Sequence, residues 1–197
     1  ECEMNPMTSM NFLSLDLEMN QPSGKVIEVG VAVGNVHSEI VETKNWYVDP
    51  GEPVDEYITK LTGIDDRTIE EKSVPMEVVA AELSELIRWC GCFVNPVQWG
   101  GGDSQKLLSE FRMRGIDFPH FGRREIDVKT ICVYLAMVEG RKPVGGLKSY
   151  LNRHGLQFRG TPHRAADDAE NTLRLWFSLM KRQRTMEESR EAFRSVK

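Results

Sequence analysis

The sequence predicts an α/β fold built on a mixed central sheet, with three antiparallel strands first and helices on both faces. Three observations point to it. Three successive segments near the start alternate apolar and polar residues with a period of two and are joined by short turns. The apolar period then lengthens to 3.6, and helical segments alternate with short strands, the order expected where later strands join a sheet in parallel. A chain of 197 residues, 40% hydrophobic and 28% charged, can bury one substantial core but is short for two domains.

The first strand runs from Phe12 to Met19, where Leu13, Leu15 and Leu17 alternate with Ser14, Asp16 and Glu18. After the turn "NQPSGK", the segment "KVIEVGVAVGN" puts Ile27, Val29, Val31 and Val33 on one face, and "EIVETKNWYVDP" supplies a third strand ending at Asp49-Pro50. "VDEYITKLTG" reads as a short helix stopped by Gly63, and "PMEVVAAELSELIRWCG" as a longer one that opens on Pro75 and closes at Gly91. "CFVNPVQW" is a strand leading into Gly100-Gly101-Gly102, with the helix "SQKLLSEFRMRG" after it. A short strand, "REIDV", precedes the helix "KTICVYLAMVEG", with Asp127 as its cap. "GGLKSYLNRHG" is a further helix, and "RAADDAENTLRLWFSLMKRQR" is the longest, with Ala165, Ala169, Leu173, Trp176, Phe177 and Met180 as its buried stripe. Thr185 and Glu188 have the spacing of a capping box that would begin a separate small helix.

The expected organisation is a disordered leader or expression remnant over residues 1–9, one domain over 10–184, and a C-terminal helix or tail over 185–197. No apolar run approaches the roughly 18 residues of a membrane span, and no basic segment followed by an apolar core marks a secretory signal, so a cytoplasmic location is expected. The four cysteines make no Cys-x-x-Cys pair and have no histidine at zinc-finger spacing, which argues against a zinc site or a disulfide framework. Residues 1–103 carry six basic against nineteen acidic side chains, whereas residues 104–184 carry sixteen against eight. The second half therefore has the charge to face a polyanion, although scattered surface charge would give the same total.

Residues two apart on a strand share a face, so Asp16 and Glu18 project side by side while Leu15 and Leu17 pack behind them. Anions held that close repel unless a cation lies between them, and on an exposed edge strand the pair would mean little. Three further residues change its meaning. Asp103 follows "VQWGGG", a strand end and a glycine run that permits close backbone approach, although an Asp there is most often a helix N-cap. Asp168 falls in the first turns of the last helix, where acids commonly face the helix dipole. His163 precedes it by five residues, about 140° around an ideal helix, so the two meet only if His163 is on the entry loop. Together Asp16, Glu18, Asp103 and Asp168 form an oxygen-rich set suited to Mg²⁺ or Mn²⁺ rather than zinc. An imidazole, which ordinarily titrates near 6.5, is suited to take a proton from an attacking water.

The ordered set "SLDLEM", "VIEVGVAV", "YVDP", "KLTGI", "VQWGGGDSQKLL", "IDVK", "GLKSYL" and "FRGTPHRAADDAEN" resembles the DEDDh, or DnaQ-like, 3′ to 5′ exonucleases, and within them the branch of the histone-mRNA 3′ exonuclease and the bacterial KapD proteins. The resemblance covers residues 13–182 and implies an RNase H-like fold. It further implies two Mg²⁺ or Mn²⁺ ions held by Asp16, Glu18, Asp103 and Asp168, with His163 as general base. The implied reaction releases nucleoside 5′-monophosphates from single-stranded RNA or short oligoribonucleotides. Met19 and Leu61 would lie against the terminal nucleotide and Lys148 and Arg164 near phosphate; read locally, the first two are core residues and the others surface charges. One departure is Gly102, where this branch often has an aromatic residue before the second-motif Asp, so a wall contact is missing there. "RMR", "GRR", "GRK" and "KRQR" would track the upstream backbone. The alternatives are single-stranded DNA as substrate and a domain that binds nucleic acid without cutting it, which would have lost at least one of the five catalytic residues. A third is a C-terminal helix that docks a partner through Met186, Phe193 and Val196.

Overall fold

The computed structural model of the chain describes residues 10–195, so the leader expected over residues 1–9 lies outside the described residues. Strands β1 (Asn11–Met19), β2 (Val26–Asn35) and β3 (Ile40–Tyr47) form the antiparallel meander. Strands β4 (Val97–Gln98) and β5 (Ile126–Asp127) add in parallel on the far side of β1, giving the order β3-β2-β1-β4-β5. β1 is therefore an interior strand, and its acids are not edge decoration.

The helices are α1 (Glu56–Thr62), α2 (Asp66–Lys72), α3 (Met76–Cys90), α4 (Asp103–Met113), α5 (Val128–Val138), α6 (Leu147–Arg153) and α7 (Ala165–Ser195). Alternation along β1 sends Leu13, Leu15 and Leu17 into a core shared with Leu83 of α3 and Phe111 of α4. Phe12 points the other way, into a core with Tyr150 of α6 and Leu173 and Phe177 of α7. Asp16 and Glu18 share the face of Phe12, so they emerge on the α6–α7 side. β2 is buried along nearly its whole length. It has glycines where α7 comes closest: a Cβ on Gly30 would lie 2.0 Å from the carbonyl carbon of Ala165. Gly30 is also the register partner of Asp16, so the missing side chain lets the start of α7 reach the acids.

The structure departs from the expected elements in three places. α2 is an added helix, capped by Asp65, whose carboxylate accepts from the Thr68 N–H at 2.8 Å; with Ile69 as its one buried residue it has no apolar stripe to read. The strand expected over "CFVNPVQW" shrinks to two residues, because Pro96 has no N–H to offer and, among the described residues, the earlier part pairs with β1 only at an isolated bridge between Asn11 and Cys92. α7 passes through Thr185 unbroken: the hydroxyl donates to the Lys181 carbonyl at 3.1 Å instead of capping a new helix. Met186 is exposed, while the side chains of Phe193 and Val196 in the expected docking stripe lie outside the described residues.

Candidate active site

Four elements deliver the acids and the histidine. β1 supplies Asp16 and Glu18, held in register against β2 from Asn11 to Glu18, with a register shift between Glu18 and Met19. Asp168 is in the first turn of α7. His163 stands just before that helix with φ 63°, a conformation that is uncommon for a residue with a Cβ and is held here by the loop around it. Its backbone N–H donates to Asp168 Oδ2 at 3.0 Å, so the entry loop and the first helical turn are locked together. Loop and helix bring the two residues together, as the five-residue spacing requires. Neighbouring Asp167 turns away and accepts from the Thr161 N–H at 2.8 Å, shaping the loop.

Asp103 is positioned differently. The N-cap of α4 is Gly102, at φ 100°, which has no side chain to cap with; Asp103 is the first helical residue. Gln98, fully buried on β4, caps the helix in its place, its Oε1 accepting from the N–H groups of Asp103 at 2.9 Å and Ser104 at 3.2 Å. The Gln98 amide donates to Glu125 Oε2 at 2.9 Å, and Glu125 also accepts from the Ser104 hydroxyl at 2.8 Å and the Gly102 N–H at 3.1 Å. Asp127 accepts from the Gly100 N–H at 2.9 Å as well as capping α5, as expected. Neither Gln98 nor Glu125 stands out as functional in the sequence; the signal is an amide between apolar Val97 and Trp99.

Glu28 is a further residue that local reading passes over. It is fully buried in β2 and accepts from Arg164 Nη2 at 2.7 Å, from the Ala165 N–H at 2.9 Å and from Asn45 at 3.1 Å. Arg164 also lies over the Tyr47 ring and donates to its hydroxyl. The guanidinium expected at a phosphate is thus committed to clasping the start of α7 to β2, and Arg164 does not line the cleft. Met19 packs against the core of β1, α3 and α4, and Leu61 is half-buried on α1; neither lines the cleft. Lys148 does.

The cleft has a volume of about 720 Å³. Asp16, Glu18, His163 and Asp168 form one wall, Lys148, Ser149 and Asn152 of α6 another, and Trp99 and Phe158 supply aromatic surface. The indole of Trp99 thus gives the cleft an aromatic face that Gly102 cannot.

Burial, then the charges of Asp103, Asp168 and Glu18, push the Asp16 carboxyl well above the usual carboxylate range. Burial and then Asp168 raise Glu18 to about 8. Burial and Glu125 raise Asp103 to about 7, and burial raises Asp168 to about 6 against the opposing hydrogen bond from His163. Carboxyls driven up together by shared burial and mutual repulsion favour uptake of cations. Glu18, His163 and Asp168 each offer a ligand atom, all within 4.8 Å of one another. These three fit a divalent ion; Asp16 and Asp103 lie outside that group, and Asp103 is not among the residues lining the cleft.

Comparison with known proteins agrees with this geometry. The RNase_T family model, described as exonuclease, matches residues 13–176, and the chain belongs to that family. It is a 3′ to 5′ exonuclease of the DEDDh, DnaQ-like class with an RNase H-like fold, and that class depends on divalent metal ions. Among its relatives is the probable 3′-5′ exonuclease KapD of Bacillus subtilis, 25% identical over 181 residues that cover 86% of this chain and 84% of KapD. Among solved structures, the nuclease domain of 3′hExo, a DEDDh family member bound to rAMP, superposes with a TM-score of 0.72 at 19% identity, covering 87% of this chain and 92% of that one. E. coli exonuclease I in complex with a dA16 oligonucleotide gives 0.70 at 15% identity, covering 91% and 42%. No described helix is long and apolar enough to cross a membrane.

Proposed function

We propose that the chain removes nucleotides one at a time from the 3′ end of single-stranded RNA or short oligoribonucleotides and releases nucleoside 5′-monophosphates. The observation that carries this reading is the cleft itself, where acids and His163 face an aromatic and amide-bearing wall across a space sized for a terminal nucleotide. The likeness to a nuclease domain bound to rAMP, and to a 3′-exonuclease that recognises a histone mRNA stem-loop, supports an RNA substrate, and the likeness to exonuclease I with a dA16 oligonucleotide makes single-stranded DNA the second reading.

Two Mg²⁺ or Mn²⁺ ions held by Asp16, Glu18, Asp103 and Asp168 would supply the charge that stabilises the attacking and leaving oxygens. The side chains do the rest. His163, held by the bond of its backbone to Asp168, accepts the proton of the attacking water. Lys148 offers a cation to the phosphate, and Trp99 and Phe158 offer faces on which an unstacked base can rest. Gln98 and Glu125 keep Asp103 aimed.

RNA and DNA oligonucleotides labelled at either end test this with Mg²⁺ or Mn²⁺. The wild type should shorten 5′-labelled RNA from its 3′ end faster than DNA, and Asp16→Ala should be slower by roughly 1,000-fold, about 4 kcal/mol. His163→Ala should lose most turnover while its calorimetric affinity for Mn²⁺ stays unchanged; reduced affinity would make His163 a ligand and not the base. A wild type that shortens neither polymer, or an Asp16→Ala variant as active as wild type, defeats the reading.

A further inference from the structure

One cluster plays no part in this chemistry. Arg141 just beyond α5, Arg153 and His154 at the end of α6, and Arg182 on α7 converge with Glu139 and Tyr150 on a second pocket of about 110 Å³. They come from the separate runs "EGRK", "NRH" and "KRQR", two of which are basic runs that the cleft leaves unused. Glu139 accepts from Arg182 at 2.6 Å and lies 3.7 Å from Arg141, while Arg153 donates to the Val144 carbonyl at 2.7 Å and stacks over the Tyr150 ring at 4.6 Å. Three guanidiniums against one carboxylate leave an excess of two positive charges, and these contacts use few of the five N–H donors each arginine has. Burial and the nearby arginines hold His154 below the usual imidazole range, so it adds a polar ring and no further charge near neutrality.

The second observation is Tyr150. It lines the same pocket, is 2% exposed, and its hydroxyl has no hydrogen-bond partner among the described residues. A buried donor left unpaired is destabilising, and in a pocket lined by three arginines its natural partner is an oxyanion.

We propose that this pocket binds a phosphate group of the nucleic-acid strand whose 3′ end occupies the cleft. The inference rests on the nuclease reading of that cleft. α6 separates the two: Lys148, Ser149 and Asn152 face the cleft, and Tyr150, Arg153 and His154 face the pocket. Trp99 of the cleft packs on Tyr150 with ring centroids 5.5 Å apart. A helix with its side chains is about 10–12 Å across, which a strand spans in a few nucleotides at about 3.4 Å or more per phosphate. The pocket therefore engages a phosphate several nucleotides upstream and leaves a dinucleotide untouched.

The test compares wild type with Arg141→Ala/Arg182→Ala and with Tyr150→Phe, at residues that do not line the cleft, the Phe ring keeping the contact with Trp99. Fluorescence anisotropy of a labelled 12-nucleotide RNA in EDTA reads binding without turnover, KM for the same RNA with Mn²⁺ reads it during turnover, and hydrolysis of a dinucleotide reads the cleft alone. The double variant should weaken binding of the long RNA, and raise its KM, about 10-fold, and flatten the salt dependence by about 0.7, the slope of one phosphate contact on a single strand. Its dinucleotide hydrolysis should be unchanged. Tyr150→Phe should weaken long-RNA binding about threefold yet melt at or above wild type, because it deletes an unpaired buried hydroxyl. If the double variant only melts lower and binds RNA as before, the arginines are a structural ion-pair network and the proposal is overturned. It is equally overturned if inorganic phosphate raises the melting temperature of wild type alone while RNA affinity is the same in all three proteins, since the pocket then takes free phosphate. A wild type that hydrolyses no dinucleotide would count against the nuclease reading, while the binding arm would still decide the pocket.

Discussion

The acids expected to share one site are held by opposite means on β1 and at the start of α4, beside the neighbouring strand β4. β1 uses its backbone: eight residues, Asn11 to Glu18, are paired in register with β2, Leu13, Leu15 and Leu17 are buried beneath, and Asp16 and Glu18 are aimed by the pleat. β4 has only two residues, and Asp103 is aimed by side chains, through Gln98, Glu125 and the Gly102 N–H. A ladder spreads its load over many equivalent bonds, whereas a polar net fails when one member is lost and the others remain buried without partners. The contrast is sharpest between Ser14 and Gln98, both fully buried polar residues. Gln98 bonds with both ends of its amide, while the Ser14 hydroxyl has no partner among the described residues.

Removing the net should have the largest consequence. Gln98→Leu keeps the volume but leaves the Asp103 and Ser104 N–H groups unpaired, and by analogy with lost supports of metal ligands it should reduce turnover and divalent-ion affinity about 10–100-fold. Titration calorimetry with Mn²⁺ and steady-state rates check both; an effect on stability alone would mean that the net is scaffolding and not aim.

The acids of both strands share one electrostatic condition, which predicts a smaller effect. Glu18 at about 8, Asp103 at about 7 and Asp168 at about 6 keep protons in the folded chain that the unfolded chain loses near pH 4. Stability therefore falls as pH rises from about 4 to about 8, because the folded state binds more protons throughout that window. In EDTA the thermal midpoint at pH 8 should lie below that at pH 6, and Mg²⁺ should close the gap. A midpoint that climbs over this interval would show that the carboxyls are ionised and relieved by other means.

The smallest effect belongs to the ladder. Ser14→Ala should leave turnover intact and raise stability by up to about 1 kcal/mol, since it deletes a buried hydroxyl without a partner and the backbone does the aiming. Denaturant unfolding measures it, and a loss above about 2 kcal/mol would place Ser14 in a polar net after all.

The same division decides what is legible in the chain alone. The β1–β3 meander, Asp127 as a cap and the burial of Leu13, Leu15 and Leu17 all follow from local periodicity or capping chemistry, and the structure keeps them. The convergence of Glu18, His163 and Asp168 follows from motif order and from the geometry of a loop entering a helix. What local reading misses is polar and non-local. Arg164 reads as a free cation because Glu28, its partner, is 136 residues away. The strand over "CFVNPVQW" reads too long because pairing partners, not alternation, determine where a ladder begins.

The sequence by itself determined the β1–β3 meander and most of the helices, the two acids on one face of β1, and the family to which the chain belongs, because periodicity, caps and motif order are properties of neighbouring residues. Only the tertiary structure decided that β1 is an interior strand, that Gln98 and Glu125 aim Asp103, that Arg164 is bound to Glu28, and that Arg141, Arg153 and Arg182 share a pocket with Tyr150. Each of these joins groups distant in the chain, and which charge meets which hydrogen-bonding partner is settled only when the layers pack.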